Sequence, residues 1–344
     1  MQEFVDALPL PAVVVGNSEK LEVANAAGAE LLGRGVIGRH YITAFRQPVL
    51  LDAIERVLKD QEPRTARYLT TEARRDMTYL VHIAPVRKLD GILISFEDQT
   101  AVEEAGTMRR DFVANVSHEL RTPLTALIGF IETLRGAAKD DPAAQARFLE
   151  IMDSEASRMN RLVEDLMSLN RVEATERIRP SEEVDFAAIA RSVIHALEPL
   201  AQERQIAISQ IDLEQAVWLP GDADQIAQVV TNLVENALKY SGPGKQIHVR
   251  MEREDNHPMI RGPAASLSVK DNGEGFDPTL IPRLTERFFR IDSHRSRELG
   301  GTGLGLAIVK HIINRHRGRL RIESTLGQGS VFTVILPLEG PNQT

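Results

Sequence analysis

The sequence contains no cysteine among its 344 residues. Disulfides, thiolate metal sites, cysteine nucleophiles and iron–sulfur clusters are therefore excluded, and an intracellular location is expected. The chain also lacks any stretch approaching the roughly 20 consecutive apolar residues of a membrane-spanning helix. Its opening, MQEFVDALPLPAVVV, lacks the basic region of a signal peptide. We expect a cytoplasmic protein, either soluble or held at the inner face of the plasma membrane by an anchor or partner outside this sequence.

Basic side chains are fewer than acidic ones, since 41 lysines and arginines face 49 aspartates and glutamates and the formal net charge is −8. This balance argues against general nucleic-acid binding. Residues 281–321 depart from it, with ten basic and three acidic side chains. Apolar residues make up 42% of the chain, which is enough for real cores, and the length fits two or three domains.

The first predicted domain covers residues 1–100. Short β-like runs are combined with one helical stretch and with turn signals, which is the pattern of a small α+β module. The β-like runs are 12–15, 79–83 and 92–96, and the helical stretch is 24–32. The strand–turn–strand opening followed by VANAAGAELLG resembles a PAS sensor domain, a family that folds an antiparallel sheet around a ligand pocket or uses it for dimerisation. An unrelated α+β domain remains the alternative.

Residues 101–175 change to a helical pattern that is broken once, at 136–144. Apolar residues recur every three or four positions on both sides of the break, in stripes as narrow as the seam of a helical bundle. The stripes are Phe112, Val116, Leu120, Leu124, Leu127, Ile131 and Leu134, then Phe148, Met152, Met159, Leu162, Leu166 and Leu169, with Glu155 as a polar interruption. Two helices alone bury little surface, so two copies should pair as a homodimeric four-helix bundle.

A polar linker at 176–183 precedes the last predicted domain, 184–344. Helical segments alternate there with β-like runs, as in an α/β domain. The helical segments are 186–203, 222–240 and 303–317, and the β-like runs are 206–211, 247–251, 266–270, 320–324 and 331–336. The expected fold is therefore multidomain: an α+β module, an antiparallel helical hairpin and an α/β sandwich.

His118 lies in the segment FVANVSHELRTPL, about 200° around the helix from the apolar stripe, and should face water. An ordinary solvent-facing histidine is the simplest interpretation, but its neighbours favour chemistry. Glu119 can hydrogen-bond one ring nitrogen or take its proton, which leaves the other nitrogen as a nucleophile. Thr122 lies one turn on, on the same face. Pro123 costs about 3 kcal/mol inside a helix and should bend it beside His118.

A polar stripe follows in the segment TNLVENALKY, where Asn232, Asn236, Lys239 and Tyr240 share one helical face. An amide oxygen suits Mg²⁺ whose other ligands are phosphate and water oxygens. Lys239 can meet a phosphate and Tyr240 can cover a base. The opposite face is ordinary core and carries Val229, Leu233 and Ala237.

Two glycine-rich segments extend this constellation. In DNGEGF, Asp271 suits an exocyclic amine, while Gly273 and Gly275 let the backbone approach a flat ring; a tight turn is the commoner reason for such glycines. The segment GGTGLGL runs into a helix and offers backbone N–H groups to phosphates. Its candidate binding residues are Gly301, Thr302, Gly303, Leu304 and Gly305. Neither GxxxxGK[ST] nor GxGxxG is present, so P-loop and Rossmann sites are excluded.

In this order the motifs resemble those of the sensor histidine kinases of two-component systems, over residues 108–338. SHELRTPL is similar to the phosphoacceptor box of that family, NLVENALKY to its N box, and DNGEGF to its first glycine box. RFFR is similar to its F box, GGTGLGL to its second glycine box, and GQGS to the last box. The resemblance implies a dimerisation and phosphoacceptor hairpin followed by an ATP-binding domain of the Bergerat type, with ATP and Mg²⁺ as cofactors.

The resemblance also implies roles for single residues. His118 would be autophosphorylated, Glu119 would be the base, and Thr122 would orient water for dephosphorylating a response regulator. Asn236 would hold Mg²⁺, and Lys239 and Arg290 would contact the phosphates. Tyr240 and Asp271 would contact adenine. Residues 291–303 would form the lid over the nucleotide. Related ATPases of this fold carry a water-activating glutamate where Asn232 falls, so ATP is expected to be kept for the histidine.

The implied function is transfer of a phosphoryl group from ATP to His118 and then to an aspartate of a response regulator. The PAS-like module and the segment RFFRIDSHRSRELGGTGLGLAIVKHI look most like phosphate-regulon sensor kinases. One alternative is a degenerate scaffold or sensor of the same fold, which should have damaged boxes. Another is an ATP-driven chaperone or topoisomerase-like protein, which should lack the histidine helix.

These motifs divide the basic segment at 281–321. Arg290, Arg295 and Arg297 fall in the F box and the lid, where a polyanionic nucleotide must be held. The cluster at 315–321 lies beyond the second glycine box, at the end of a predicted helix. We expect a solvated face there, stabilised by the negative end of the helix dipole.

Overall fold

The computed structural model describes residues 1–33, 35–72, 75–86, 91–291 and 301–339. The chain divides into two compact units, Met1–Ala114 and Asn115–Thr344. Arg295, Arg297 and the part of the predicted lid at 292–300 lie outside the described residues.

The N-terminal unit is an antiparallel five-stranded sheet with short helices, which confirms the expected α+β class. Its strand order is β2-β1-β5-β4-β3. The strands are β1 (Ala12–Gly16), β2 (Leu21–Ala24), β3 (Arg64–Glu72), β4 (Arg75–Val86) and β5 (Gly91–Asp98). The helices are α1 (Gln2–Asp6), α2 (Ala26–Leu32), α3 (Tyr41–Ala44) and α4 (Pro48–Asp60). The resemblance to PAS domains stays a prediction.

The sequence analysis did not predict α1, α3, α4 or β3 in this unit. α4 begins at Pro48, which favours the first helical position. β3 is an edge strand in which Arg67 is exposed while Ala66 is buried, so its hydrophobic signal is weak. Charged edge strands of this kind limit pairing with other chains.

The helical hairpin has the predicted connection. α5 (Thr100–Arg135) passes through Pro123 without ending, and α6 runs over Pro142–Thr175. The Asp141 side chain caps α6 by accepting hydrogen bonds from the backbone N–H groups of Ala143 and Ala144, at 3.1 and 3.0 Å. Several apolar side chains of the hairpin stay exposed, which is consistent with the expected second copy. They are Leu124, Ile128, Ile131, Leu149, Val163 and Met167.

The C-terminal α/β domain contains a mixed sheet of order β11-β12-β10-β9-β7, in which only the β7–β9 pair is parallel. Its strands are β7 (Ala207–Ile211), β9 (Gln246–His257), β10 (Gly262–Asp271), β11 (Arg319–Thr325) and β12 (Gly329–Pro337), beside a small pair of β6 (Glu183–Asp185) and β8 (Trp218–Pro220). Its helices are α7 (Phe186–Glu203), α8 (Ala223–Tyr240) and α9 (Gly305–Arg315), with a 3-10 turn at Pro278–Arg283. The predicted helices and strands of this domain are confirmed, although β9 continues to His257, beyond the predicted run 247–251, and β6 and β8 were not predicted.

α8 lies at the centre of this domain, because it packs against α7, α9 and β10. Its buried face carries Val229, Leu233 and Ala237, as the sequence predicted. No helix in the described segments combines the length and the apolar content needed to cross a bilayer.

Candidate active site

His118 is exposed on α5, as predicted from the helical phase. The Thr122 hydroxyl lies one turn further on and donates to the His118 carbonyl oxygen at 3.3 Å. The two side chains therefore share the solvent side of the helix, where an imidazole nitrogen is accessible to a second molecule or domain. Proton exchange and nucleophilic attack both need this access.

Glu119 has partners that differ from the expected one. Its Oε2 atom accepts from Arg158 Nη2 on α6 at 3.3 Å and from Arg290 Nη2 at 3.1 Å. The side chains of Glu119, Arg158 and Arg290 are only 21, 15 and 8% exposed. The carboxylate is thus held between two guanidinium groups instead of against the His118 ring, and these charge-assisted bonds fix its position.

The polar face of α8 carries the predicted nucleotide-binding stripe. Asn232 and Asn236 are half-buried, and Tyr240 at the end of the helix is exposed. Lys239 is largely enclosed, and burial lowers its pKa although the Glu235 carboxylate opposes that shift. A buried ammonium gains by meeting a phosphate, because the anion replaces the lost hydration. The stripe therefore offers two amides, a cation and an aromatic ring along one line.

Asp271 is buried at the end of β10, with 4% exposure. Burial raises the pKa of its carboxyl, although hydrogen bonds from the backbone N–H groups of Gly273 and Ser330 oppose the shift. The bond from Gly273 N to Asp271 Oδ1 measures 2.8 Å. The turn that follows therefore fixes one carboxylate oxygen, and the remaining lone pairs of the carboxylate can accept from a ligand amine.

The first glycine loop is packed tightly against its neighbours. A Cβ added at Gly273 would lie 2.4 Å from the carbonyl oxygen of Tyr240. At Gly275, which has φ of +61°, it would lie 2.2 Å from the carbonyl oxygen of Thr325. Glycine is required at both positions by close backbone approach. The loop is thereby clamped between the end of α8 and the end of β11.

The second glycine segment meets α8 at the start of α9. A Cβ on Gly305 would approach Oδ1 of Asn232 at 2.8 Å, so the absence of a side chain lets the two elements touch. Thr302 Oγ1 accepts from the Leu304 backbone N–H at 3.3 Å and donates to Asp165 Oδ2 on α6 at 2.6 Å. The helix N-terminus, with its free N–H groups, therefore faces the polar stripe of α8.

Arg290 has one paired and one unpaired side-chain nitrogen. Its Nε atom is buried and has no hydrogen-bond partner among the residues that the structure describes. Nη2 of the same guanidinium bonds Glu119, and a nucleotide phosphate would satisfy the remaining Nε donor. The residues present thus fit ATP.

The side chain of the predicted metal ligand, Asn236, makes no hydrogen bond within the described part of the chain. That part also contains no cluster of three acidic or histidine side chains able to hold a metal. Mg²⁺ held here would therefore take most of its oxygens from the nucleotide and from water.

Comparison with known proteins decides the family. A model of the "His Kinase A (phospho-acceptor) domain" matches residues 108–175, and one of the "Histidine kinase-, DNA gyrase B-, and HSP90-like ATPase" matches 221–340. Over 336 residues the chain is 36% identical to the phosphate regulon sensor protein PhoR of Pseudomonas aeruginosa, which covers 97% of this chain and 73% of PhoR. The chain belongs to the sensor histidine kinases.

Other similarities are narrower. The sensor histidine kinase WalK of Bacillus subtilis is 34% identical over 250 residues, which cover 73% of this chain and 40% of WalK. The chain thus spans well under two thirds of that relative. The crystal structure of the histidine kinase ThkA in complex with the response regulator protein TrrA covers 98% of both chains with a TM-score of 0.54 and 22% identity. This last likeness shows a shared fold alone.

The sequence analysis did not predict several polar contacts that join the hairpin or the linker after it to the ATP-binding domain. On α6, Asp165 bonds Thr302, and burial raises the pKa of its carboxyl. Further contacts join Arg287 and His311 to Glu173, His311 and Asn314 to Glu176, and Ser168 to Gln228. One indication in the sequence that this face of α6 is polar was Glu155, which interrupts the apolar stripe. Glu155 lies 3.8 Å from Arg158.

The solvated face expected at 315–321 is wrong for its first two residues. Arg315 is largely buried and binds Asp222 at 3.0 Å as well as the Ile178 carbonyl oxygen. His316 is 1% exposed, and its Nε2 accepts from the Asp222 backbone N–H at 3.0 Å. Because Asp222 caps α8, these two side chains hold the start of the helix that carries the nucleotide stripe.

Proposed function

We propose that this histidine kinase transfers the γ-phosphoryl group of ATP to a ring nitrogen of His118. The observation that carries the proposal is the Arg290–Glu119 contact, since it joins a residue of the nucleotide site to the neighbour of the exposed histidine. Phosphoryl transfer depends mainly on positioning and on neutralising charge. A docked ATP-binding domain supplies both at this point of the hairpin.

The binding roles follow from the chemistry of each side chain. Asp271 accepts from the exocyclic amine of adenine, and Tyr240 covers the base. Lys239 and Arg290 meet phosphate oxygens, while the N–H groups at the start of α9 cradle the phosphate chain. Asn236 would hold Mg²⁺, which screens the phosphate charge when bound. Glu119 takes the proton from the imidazole, so that the other nitrogen attacks.

The phosphoryl group then passes to an aspartate of a response regulator, in the cytoplasm where ATP is supplied. The complex of ThkA with TrrA supports a partner of this class for the same fold. The similarity to PhoR supports a role in phosphate signalling, and two copies of the chain form the working dimer. Incubation with labelled ATP and then with candidate regulators tests this sequence of steps; a labelled kinase that passes nothing to any regulator of its source organism would contradict it.

Thr122 is proposed to orient water for the reverse reaction, dephosphorylation of the regulator. Its hydroxyl lies one turn from His118 on the exposed side of α5. Thr122→Ala should reduce phosphatase activity at least about tenfold while autophosphorylation changes little. Release of phosphate from a phosphorylated regulator measures this, and full phosphatase activity in the variant would refute the role.

A degenerate scaffold of the same fold is the remaining alternative. It predicts damage to at least one nucleotide motif, whereas every motif is intact in the sequence. Measurable labelling of His118 excludes it.

A further inference from the structure

One carboxylate oxygen of Glu119 serves two arginines that come from different parts of the chain. Arg290 belongs to the ATP-binding domain, whereas Arg158 lies on α6, the second helix of the hairpin. Arg158 also approaches Glu155 at 3.8 Å through its other terminal nitrogen, Nη1. The four groups form a compact neutral cluster of two arginines and two glutamates.

The two arginines cannot serve Glu119 equally during a catalytic cycle. Arg290 has a buried Nε atom without a hydrogen-bond partner among the described residues. In the proposed function this guanidinium binds the nucleotide phosphates. When it turns to them, Glu119 loses one cation at the moment a polyanion arrives nearby. A carboxylate left alone beside a triphosphate is repelled and swings away. Arg158 is fixed on the hairpin itself, so it stays with Glu119 wherever the ATP-binding domain moves.

We propose that Arg158 is a positioning residue for autophosphorylation: it keeps the Glu119 carboxylate, whose residue follows His118 in the chain, fixed on the hairpin while Arg290 engages the nucleotide. The inference rests on the proposed function and adds a residue to it. In this proposal Glu155, one turn earlier on α6, orients the guanidinium of Arg158.

The geometry favours arginine over lysine at this position. Nη2 contacts Glu119 while Nη1 contacts Glu155, so one planar group bridges two carboxylates. An ammonium group has a single nitrogen and can serve one of them well. Arg158→Lys should therefore retain part of the activity, whereas Arg158→Gln keeps a polar side chain without the charge.

A purely structural role is the competing explanation, because the Arg158–Glu119 pair also ties α5 to α6. The two explanations differ once Glu119 is removed. If Arg158 acts through the carboxylate, its substitution should cost almost nothing in a Glu119→Gln background. If it only stabilises the hairpin, its cost should be the same in both backgrounds.

The experiment is a double-mutant cycle on the full chain. Initial rates of phosphoryl incorporation are measured against ATP concentration for the wild type, Arg158→Gln, Glu119→Gln and the double variant. Arg158→Lys tests rescue, and Arg147→Gln, which alters an exposed arginine on the same helix, controls for the loss of one charge.

We expect Arg158→Gln to lower kcat about tenfold with the KM for ATP within about twofold of the wild type. Arg158→Lys should be intermediate and Arg147→Gln should match the wild type.

The double variant should be as active as Glu119→Gln alone, within about twofold. An equal loss from Arg158→Gln in both backgrounds, or no loss at all, would overturn the inference while the proposed function stands. A wild type that shows no label on His118 would overturn the proposed function and this inference with it. If Arg158→Gln fails to fold, the same cycle with Arg158→Lys decides the question.

Discussion

Asp271 is a buried aspartate whose environment disfavours the ionised carboxylate. It is buried, and burial raises the pKa of its carboxyl above the usual 3.8. An aspartate of this kind is suited to reading an amine, because a new hydrogen bond to the ligand recovers part of the energy that burial costs. Binding and stability should therefore respond in opposite directions to its removal.

Asp271→Asn is expected to weaken nucleotide binding and to raise the thermal unfolding midpoint of the nucleotide-free protein at neutral pH. The raised pKa means that the ionised form costs stability once the pH exceeds the usual aspartate value, and asparagine removes that cost. The gain should be roughly 2–4 °C for each kcal/mol recovered, and it should shrink as the pH falls toward 3.8.

Thermal unfolding at several pH values measures this effect. Asp277→Asn is a contrasting control, since hydrogen bonds from the N–H and hydroxyl of Thr279 lower the pKa of Asp277. That substitution should not stabilise the protein. An Asp271→Asn midpoint that never exceeds the wild type would contradict the account.

At the scale of single elements, the start of α8 depends on the end of α9. His316 is buried, its Nδ1–H donates to the Ile312 carbonyl at 2.8 Å and its Nε2 accepts from Asp222 N. Burial lowers the pKa of His316, although the bond to Ile312 opposes the shift. The neutral ring therefore anchors the helix that carries the nucleotide stripe.

The free energy of unfolding should fall as the pH drops below about 6.5. The depressed pKa means that His316 contributes stability above its unfolded value, and that this contribution is lost as the pH falls through the folded value. The loss approaches about 1.4 kcal/mol per pH unit between the two values. Denaturant unfolding between pH 5 and pH 8 measures it. His316→Gln should flatten the profile, while His195→Gln, an exposed histidine, should leave it unchanged; equal slopes for all three proteins would refute the assignment.

The sequence was sufficient for features that repeat locally and insufficient for distant pairs. The periodicity placed α8 and α9 to within two residues at each end, and the phase of α5 put His118 in solvent. The Arg290–Glu119 contact joins residues 171 positions apart, and no local pattern specifies which cation a given carboxylate meets. The hydrogen bond between Asp222 and His316 also joins residues far apart in the sequence. A histidine within a basic segment is expected to be solvated, so the sequence did not predict this bond.

At the scale of the whole molecule, the hairpin leaves an apolar surface that a second copy would cover. Leu124, Ile128 and Ile131 follow one another on α5 and are exposed, and Leu149 and Met167 are exposed on α6. Burial of such side chains stabilises by roughly 25 cal/mol per Å². The surface is best explained by pairing of two hairpins.

Light scattering on purified protein should therefore give the mass of a dimer. Ile128→Glu places a charge in the expected seam and should shift the protein to the monomer at micromolar concentration. Leu326→Glu alters an exposed apolar residue of the ATP-binding domain, between β11 and β12, and should remain dimeric. A monomeric wild type would contradict the four-helix bundle.

Phosphorylation of His118 can be measured on the full chain. The full chain is incubated with Mg²⁺ and γ-labelled ATP, and the label is examined for acid lability and compared with a His118→Gln variant. The label should be acid-labile and base-stable, and it should be lost completely in the variant, although the variant still binds ATP. An acid-labile label that survives His118→Gln would contradict phosphorylation at His118.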